Sequence, residues 1–322
     1  MIAFLFPGQG SQKVGMGRAL AGAFPEARAT FDEADAAFER ASVRADRVGP
    51  GSLTTLCFEG PEDQLMLTEY TQPAILTVSI AAARVLAARG IQPDLVAGHS
   101  LGEYSANVVA GTFGFADAVG VVRRRGCYMQ EAVPVGRGAM AAILGLDAAV
   151  VRRVCEDAAQ GEVVAPANIN SHDQVVIAGS AAAVHRAGVG AKARGAKRVV
   201  PLPVSAPFHC ALMRPAEERL APELRALPVQ NPRIPIVANV DARLKGDGEA
   251  AIDALVRQVS SPVLWEDIVQ RLASEGVTTY VEVGSGRVLS GLVKKIRKDA
   301  QACAFGAPED LAAVEEALGS TK

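Results

Sequence analysis

The chain has 322 residues, 49% of them hydrophobic, and a formal net charge of −2 at pH 7. That length can bury a large core in one large or two unequal domains, and that apolar content excludes a disordered chain. The near-zero charge argues against a nucleic-acid-binding role.

Ile2–Phe6 reads as a buried strand, ended by Pro7-Gly8. It has no basic segment before it and is too short for a signal peptide, so none is expected. No apolar run reaches the roughly 18 residues of a membrane helix. The longest uncharged run, residues 199–213, holds three prolines. Pro7-Gly8-Gln9-Gly10-Ser11-Gln12 follows the first strand. Lys13 stands where a Rossmann fingerprint needs a small residue, and no Walker Gly-Lys-Ser/Thr is present. Such a loop can instead offer a backbone N–H to an oxyanion. Strand-like and helical segments then alternate, the pattern of a parallel-sheet α/β core. Residues 40–52 read as a polar surface loop.

Residues 95–97 are a short buried strand, and 103–110 a helix closed by Gly111. Between them lies Gly98-His99-Ser100-Leu101-Gly102, the G-x-S-x-G pattern of a nucleophile elbow. Its glycines permit a sharp turn with close backbone approach. Ser100 then stands above a strand end at a helix N-terminus, where N–H groups and the helix dipole favour an anion. The N–H of Leu101, the residue after the nucleophile, is one oxyanion donor.

A helix is predicted over 117–132. Ala118, Val121, Val122, Arg125, Met129 and Ala132 share one of its faces, apolar but for Arg125. Arg123 and Arg124 point elsewhere and are expected to be solvated. An arginine on a buried face needs a partner, and no carboxylate stands four residues away. The partner is either a distant Asp or Glu or the carboxylate of a substrate, gripped by the guanidinium fork.

Residues 138–204 have a different rhythm. A strand over 139–145, a helix over 148–159, strands over 163–168 and 174–178, a helix over 181–194 and a strand over 197–204 follow in turn. Asn170-Ser171-His172-Asp173 is the turn between the two middle strands. That order, β-α-β-β-α-β, is the ferredoxin-like unit. The α/β pattern resumes with 234–240 and 278–283, the latter before Gly284-Ser285-Gly286. Residues 243–249 read as a polar loop. The expected fold is therefore α/β. Residues 1–136 and 205–322 form a parallel-sheet core, and 137–204 an inserted ferredoxin-like subdomain.

A serine hydroxyl needs a base, and the chain has four histidines. His172 falls in the small-domain turn, His185 on a small-domain helix, and His99 on the elbow with its side chain directed away from the serine. His209 sits in a proline-stiffened loop where the chain re-enters the core. It is the candidate base. No Asp or Glu lies close before it, so a neutral acceptor on its ring N–H is the alternative to a triad acid. The five cysteines are scattered without C-x-x-C spacing. That fits a reducing compartment, the cytoplasm, and neither a disulfide framework nor a metal site. The elbow alone also fits a serine hydrolase. A binding module without covalent chemistry is a third reading.

Together these residues resemble the malonyl-CoA:acyl carrier protein transacylase family. The resemblance runs from Phe6 to about Ile296. It rests on Phe6 to Gln12, on Gly98 to Tyr104, on Pro207-Phe208-His209, on Asn239-Val240-Asp241 and on Glu282-Val283-Gly284 followed by Gly286. It implies a hydrolase-like core with a ferredoxin-like subdomain. Ser100 matches the acylated nucleophile, His209 its base, and Gln9 and Leu101 the oxyanion donors. Arg125 matches the arginine that binds the malonyl carboxylate. Gln258 matches the residue that orients the histidine through its main-chain carbonyl. Asn168 and Asn170 match cleft positions near the CoA side, and Phe208 the bulky neighbour of the base. The implied partners are malonyl-CoA and an acidic acyl carrier protein, with Lys192, Arg194, Lys197 and Arg198 as a basic docking cluster beside the cleft. No cofactor, metal, nucleic acid or membrane is expected, and the chain is expected to act as a monomer. A discrete acyltransferase serving a polyketide synthase matches the same motifs.

Overall fold

Two sheets organise the chain. They are seen in a computed structural model that describes residues 1–41, 51–204 and 206–319. The first strand, β1 (Ile2–Phe6), is apolar throughout because both its faces are covered. Phe4 and Phe6 face one hydrophobic layer, while Ala3 and Leu5 face the other. The remaining strands are β2 (Leu95–Gly98), β3 (Gly138–Leu144), β4 (Val164–Ser171), β5 (Gln174–Ser180), β6 (Arg198–Pro201), β7 (Ile236–Val237), β8 (Leu244–Lys245), β9 (Thr279–Val283) and β10 (Gln301–Phe305). The larger sheet has the order β10-β9-β1-β2-β7-β8 and is parallel except for β8. Phe6 stands opposite Gly98, so the ends of β1 and β2 that carry the two glycine motifs lie side by side.

The smaller sheet is antiparallel, in the order β4-β5-β3-β6. The helices Ala148–Ala159 and Ala181–Ala193 pack on it around their own core of Ile143, Val151, Val154, Ile177 and Val184. This is the β-α-β-β-α-β arrangement that the sequence order predicts. β4 is tied to the segment before the core helix Trp265–Ser274, where Ile169 N–H donates to Val263 O (2.9 Å) and Val263 N–H to Ala167 O (2.8 Å).

Several elements differ from the sequence reading. Strand and helix do not alternate between β1 and β2. Among the described residues five helices lie there, Arg18–Ala23, Pro25–Arg40, Leu53–Glu59, Glu62–Leu65 and Thr68–Ala88. The last is apolar nearly all round because it is a core helix. It has the length and apolarity of a membrane span, yet 83% of its most apolar stretch is buried inside the protein. β4 runs on through Asn170 and Ser171, leaving only His172-Asp173 for the turn, and bulges at two points. Residues 234–240 contribute only the two-residue β7. The loop expected at 243–249 holds β8 and the start of the helix Gly248–Gln258, whose Glu249 and Ala250 N–H groups bond the Asp247 carboxylate. Of the loop expected at 40–52, residues 42–50 lie outside the described residues. So does Ser205, where the core is expected to resume.

Candidate active site

β2 ends at Gly98 and the helix Gly102–Ala110 begins four residues later. A Cβ on Gly98 would lie 1.9 Å from the main chain of Gly102, and one on Gly102 would lie 1.9 Å from the carbonyl of Phe6. The turn therefore closes only with glycine at both places. It forces Ser100 to φ 52°, where a non-glycine residue is strained. The Asn239 side chain holds the turn from both sides. Its Oδ1 accepts from Ser100 N–H (2.8 Å) and its Nδ2 donates to Gly98 O (2.7 Å).

The loop after β6 brings His209 to this serine, also at a positive φ of 59°. Its Nε2 lies 2.7 Å from Ser100 Oγ, and its Nδ1 lies 2.9 Å from the main-chain oxygen of Gln258. A carbonyl only accepts, so the ring proton sits on Nδ1 and Nε2 is free to take the serine proton. Burial, and then the neighbouring Arg125 charge, push the imidazole down to about 3, so it is neutral. The neutral acceptor that stands in for a triad acid is a backbone carbonyl. His172 and His185 are exposed on the small sheet's subdomain. His99 bonds Asn170 Oδ1 through Nε2 (3.0 Å), and its ring packs against Trp265.

Arg125 lies on the helix Phe115–Glu131 and is buried. Its guanidinium donates to Gln72 Oε1 (2.7 Å), to Gln258 Oε1 (2.8 Å) and to Ser100 Oγ (3.3 Å). Among the described residues none of these partners is a carboxylate, and its Nε has no acceptor. Arg123 departs from the solvated position expected of it. It is buried, bonds Phe38 O (2.9 Å) and stacks on the Phe38 ring. Arg124 pairs with Glu223.

A cavity of about 270 Å³ joins these groups. Gln9, Ser100, Leu101, Arg125, Phe208 and His209 line it, and so does Asn168, whose buried Oδ1 is unpaired. The main-chain N–H groups of Gln9 and Leu101 meet no acceptor among the described residues. The site thus combines an activated hydroxyl, a neutral base, two free N–H donors and a buried cation, without a metal-ligating cluster among the described residues. That set can form an ester with an acyl donor and stabilise the oxyanion of the tetrahedral intermediate.

Residues 3–307 match the acyl transferase domain model. This chain belongs to the acyl transferase domain family. As an acyl transferase it is 50% identical to the malonyl CoA-acyl carrier protein transacylase of Escherichia coli (strain K12) over 315 residues, 98% of each chain. It is 46% identical to the Bacillus subtilis (strain 168) protein of the same description over 311 residues, 96% of this chain and 95% of that one. Its fold is similar to the acyl carrier protein S-malonyltransferase of Vibrio cholerae, with a TM-score of 0.92, 46% identity and coverage of 97% and 99%. It is equally similar to a malonyl-transacylase in complex with its type II PKS acyl-carrier protein (TM-score 0.92, 46% identity, coverage of 98% and 99%).

The structure of this acyl transferase brings Ser100, His209, Gln258, Gln9, Leu101, Arg125, Phe208 and Asn168 to one place. Asn170 stands apart, held on His99 rather than lining the cavity. Lys192, Arg194, Lys197 and Arg198 are exposed, but they stand at the far end of β6 from the cleft. Lys197 lies five positions before the cavity residue Leu202, roughly 16 Å at strand rise. Sequence reasoning assigned no part to Gln72, Glu103 or Asn239. No sequence signal singles out Gln72, which shares its helix with other polar residues, whereas Glu103 and Asn239 lie within the matched motifs.

Proposed function

We propose that this chain transfers a malonyl group from malonyl-CoA to the phosphopantetheine thiol of acyl carrier protein through a malonyl ester on Ser100. Ser100 Oγ attacks the thioester carbonyl while its proton passes to His209 Nε2. The N–H groups of Gln9 and Leu101 hold the oxyanion. Collapse breaks the C–S bond, and the CoA sulfur leaves with the proton from His209. The carrier thiol then enters, gives its proton to His209 and takes the malonyl group by the same steps reversed. The carbonyl of Gln258 keeps the imidazole in the reactive tautomer throughout. Phe208 walls the acyl pocket, and Asn168 offers its unpaired oxygen to the CoA arm. The ping-pong course needs no metal or redox cofactor.

The observation that carries the substrate is Arg125. A buried guanidinium without a carboxylate hydrogen-bond partner among the described residues stands 3.3 Å from the proposed nucleophile, where the free end of a malonyl ester would meet it. Such a fork binds a carboxylate bidentately. The test is the intact mass of the protein after mixing with malonyl-CoA. One malonyl unit is expected on the wild type and none on Ser100→Ala, and an unmodified wild type would refute the covalent course. Transfer of the ester to thiol in preference to water separates this reading from a serine hydrolase.

A polyketide carrier as acceptor is favoured by one observation, the similarity to a transacylase bound to such a carrier. Comparing transfer rates to fatty-acid and polyketide carriers decides between them. A cytoplasmic location is supported by the five unpaired cysteines. The unit boundaries at 137 and 204 are supported by the separate small core around Val151 and Ile177.

A further inference from the structure

The elbow helix carries a buried carboxylate that the mechanism above does not use. Glu103 is 1% exposed. Its Oε2 accepts from Asn239 N–H (3.1 Å) and from Gln258 Nε2 (2.6 Å). Gln258 Nε2 also donates to Ser100 O (2.9 Å), and Gln258 Oε1 accepts from Arg125 (2.8 Å). A side-chain amide has one oxygen to accept and one NH2 to donate. Flipping this one would set its oxygen against the Glu103 carboxylate and its NH2 against the guanidinium. The carboxylate therefore dictates which end of Gln258 faces Arg125. Its main-chain oxygen meanwhile orients His209, so one residue serves the base through its backbone and the cation through its side chain.

We propose that Glu103 is a positioning residue for acyl selection, locking the Gln258 amide so that Arg125 is aimed at the carboxylate of the acyl group. The inference rests on the malonyl-transfer reading of the same site. The aim matters because the guanidinium fork must meet a planar carboxylate in register, and a displacement near 1 Å is costly. The carboxyl itself sits at about 7, raised by burial and by Asp241 and lowered by its Gln258 and Asn239 bonds and by Arg125. The Asn239 N–H holds an acceptor oxygen at this place, so a neutral side chain of the same length also presents an oxygen to the amide, and the lock rests on reach.

The test separates reach from charge. Glu103→Asp keeps the carboxylate but withdraws it from Gln258, whereas Glu103→Gln keeps the reach and removes the charge. The readout is the ratio of kcat/KM for malonyl-CoA over acetyl-CoA. Glu103→Asp should lower that ratio about tenfold or more, and Glu103→Gln should hold it within about threefold. In a Gln258→Asn background, where the amide is too short to bridge, Glu103→Asp should no longer change the ratio. If Glu103→Asp fails to fold, Gln258→Asn alone must lower the ratio about tenfold. Equal losses for both thioesters would reduce Glu103 to a structural role and overturn the proposal. A drop in Glu103→Gln with none in Glu103→Asp would overturn it too, by assigning the effect to charge. A wild-type enzyme without malonyl preference would instead sink the parent reading.

Discussion

Arg125 concentrates the cost and the purpose of the site. Burial lowers its pKa, and among the described residues its hydrogen-bond acceptors are neutral, so the guanidinium is a poorly compensated cation. In the proposed reading an acyl group with a carboxylate would relieve that state, whereas acetyl would leave it in place. Sites built round such a polar partner discriminate by about 10⁴ or more. Arg125→Ala should therefore collapse the malonyl preference and gain relatively on acetyl-CoA. Arg125→Lys should recover little, because a point charge lacks the fork. Measured kcat/KM for both thioesters checks this, and an unchanged ratio in Arg125→Ala would make the residue merely structural. His209 makes a separate prediction. Its imidazole sits at about 3 in the folded protein, against about 6.5 when unfolded. Between those values the unfolded chain binds the extra proton, so stability rises with pH across that window and falls as acid is added. His209→Gln should flatten this slope. Denaturant midpoints from about pH 4 to 7 report it, and identical slopes would show that the histidine is not buried neutral.

At the level of elements, the elbow is a contact between backbones. A methyl on Gly102 would sit against the Phe6 carbonyl, so Gly102→Ala should cost about 3 kcal/mol or more, or abolish folding. Gly291, inside the helix Val288–Ile296, has nothing within 4 Å of the same position. Gly291→Ala should instead stabilise by about 0.5–1 kcal/mol. Thermal midpoints of the two variants should move in opposite directions. The elbow was legible because strand, glycines and helix are local. So was the small sheet's order, whose strands and helices each carry their own apolar period. The helix Thr68–Ala88 was not, since a buried helix has no polar face to give a period. The short β7 and β8 were lost for the opposite reason: two residues carry no period. The part played by Asn239 needed the tertiary fold, because it acts on a residue more than a hundred positions away, whereas Gln258 was named through the family resemblance alone.

For the whole molecule, the carrier protein must bring its thiol to a half-buried serine that lines a cavity. Of the exposed Lys192, Lys197 and Arg198, the last two lie roughly 16 and 13 Å along the chain from the cavity residue Leu202, while Arg194 is paired with Asp157. A docking surface at that distance suits a partner that extends a flexible arm. Reversing the charge of Lys192, Lys197 and Arg198 should raise KM for carrier protein and leave that for malonyl-CoA unchanged, with the difference shrinking in salt. Equal effects on both substrates would remove the cluster from docking. The small sheet has a further consequence, in time rather than space. It is inserted between Ser100 and His209, the proposed nucleophile and base, which are 109 positions apart in the chain. A ribosome adding about 10 residues per second completes Ser100 roughly 10 s before His209, and the Gln258 carbonyl later still. Through that interval the nascent chain carries a serine with no base. A ribosome-held chain halted at residue 200 should therefore take no malonyl label from malonyl-CoA, so the growing protein cannot acylate itself before its selecting and activating groups exist together.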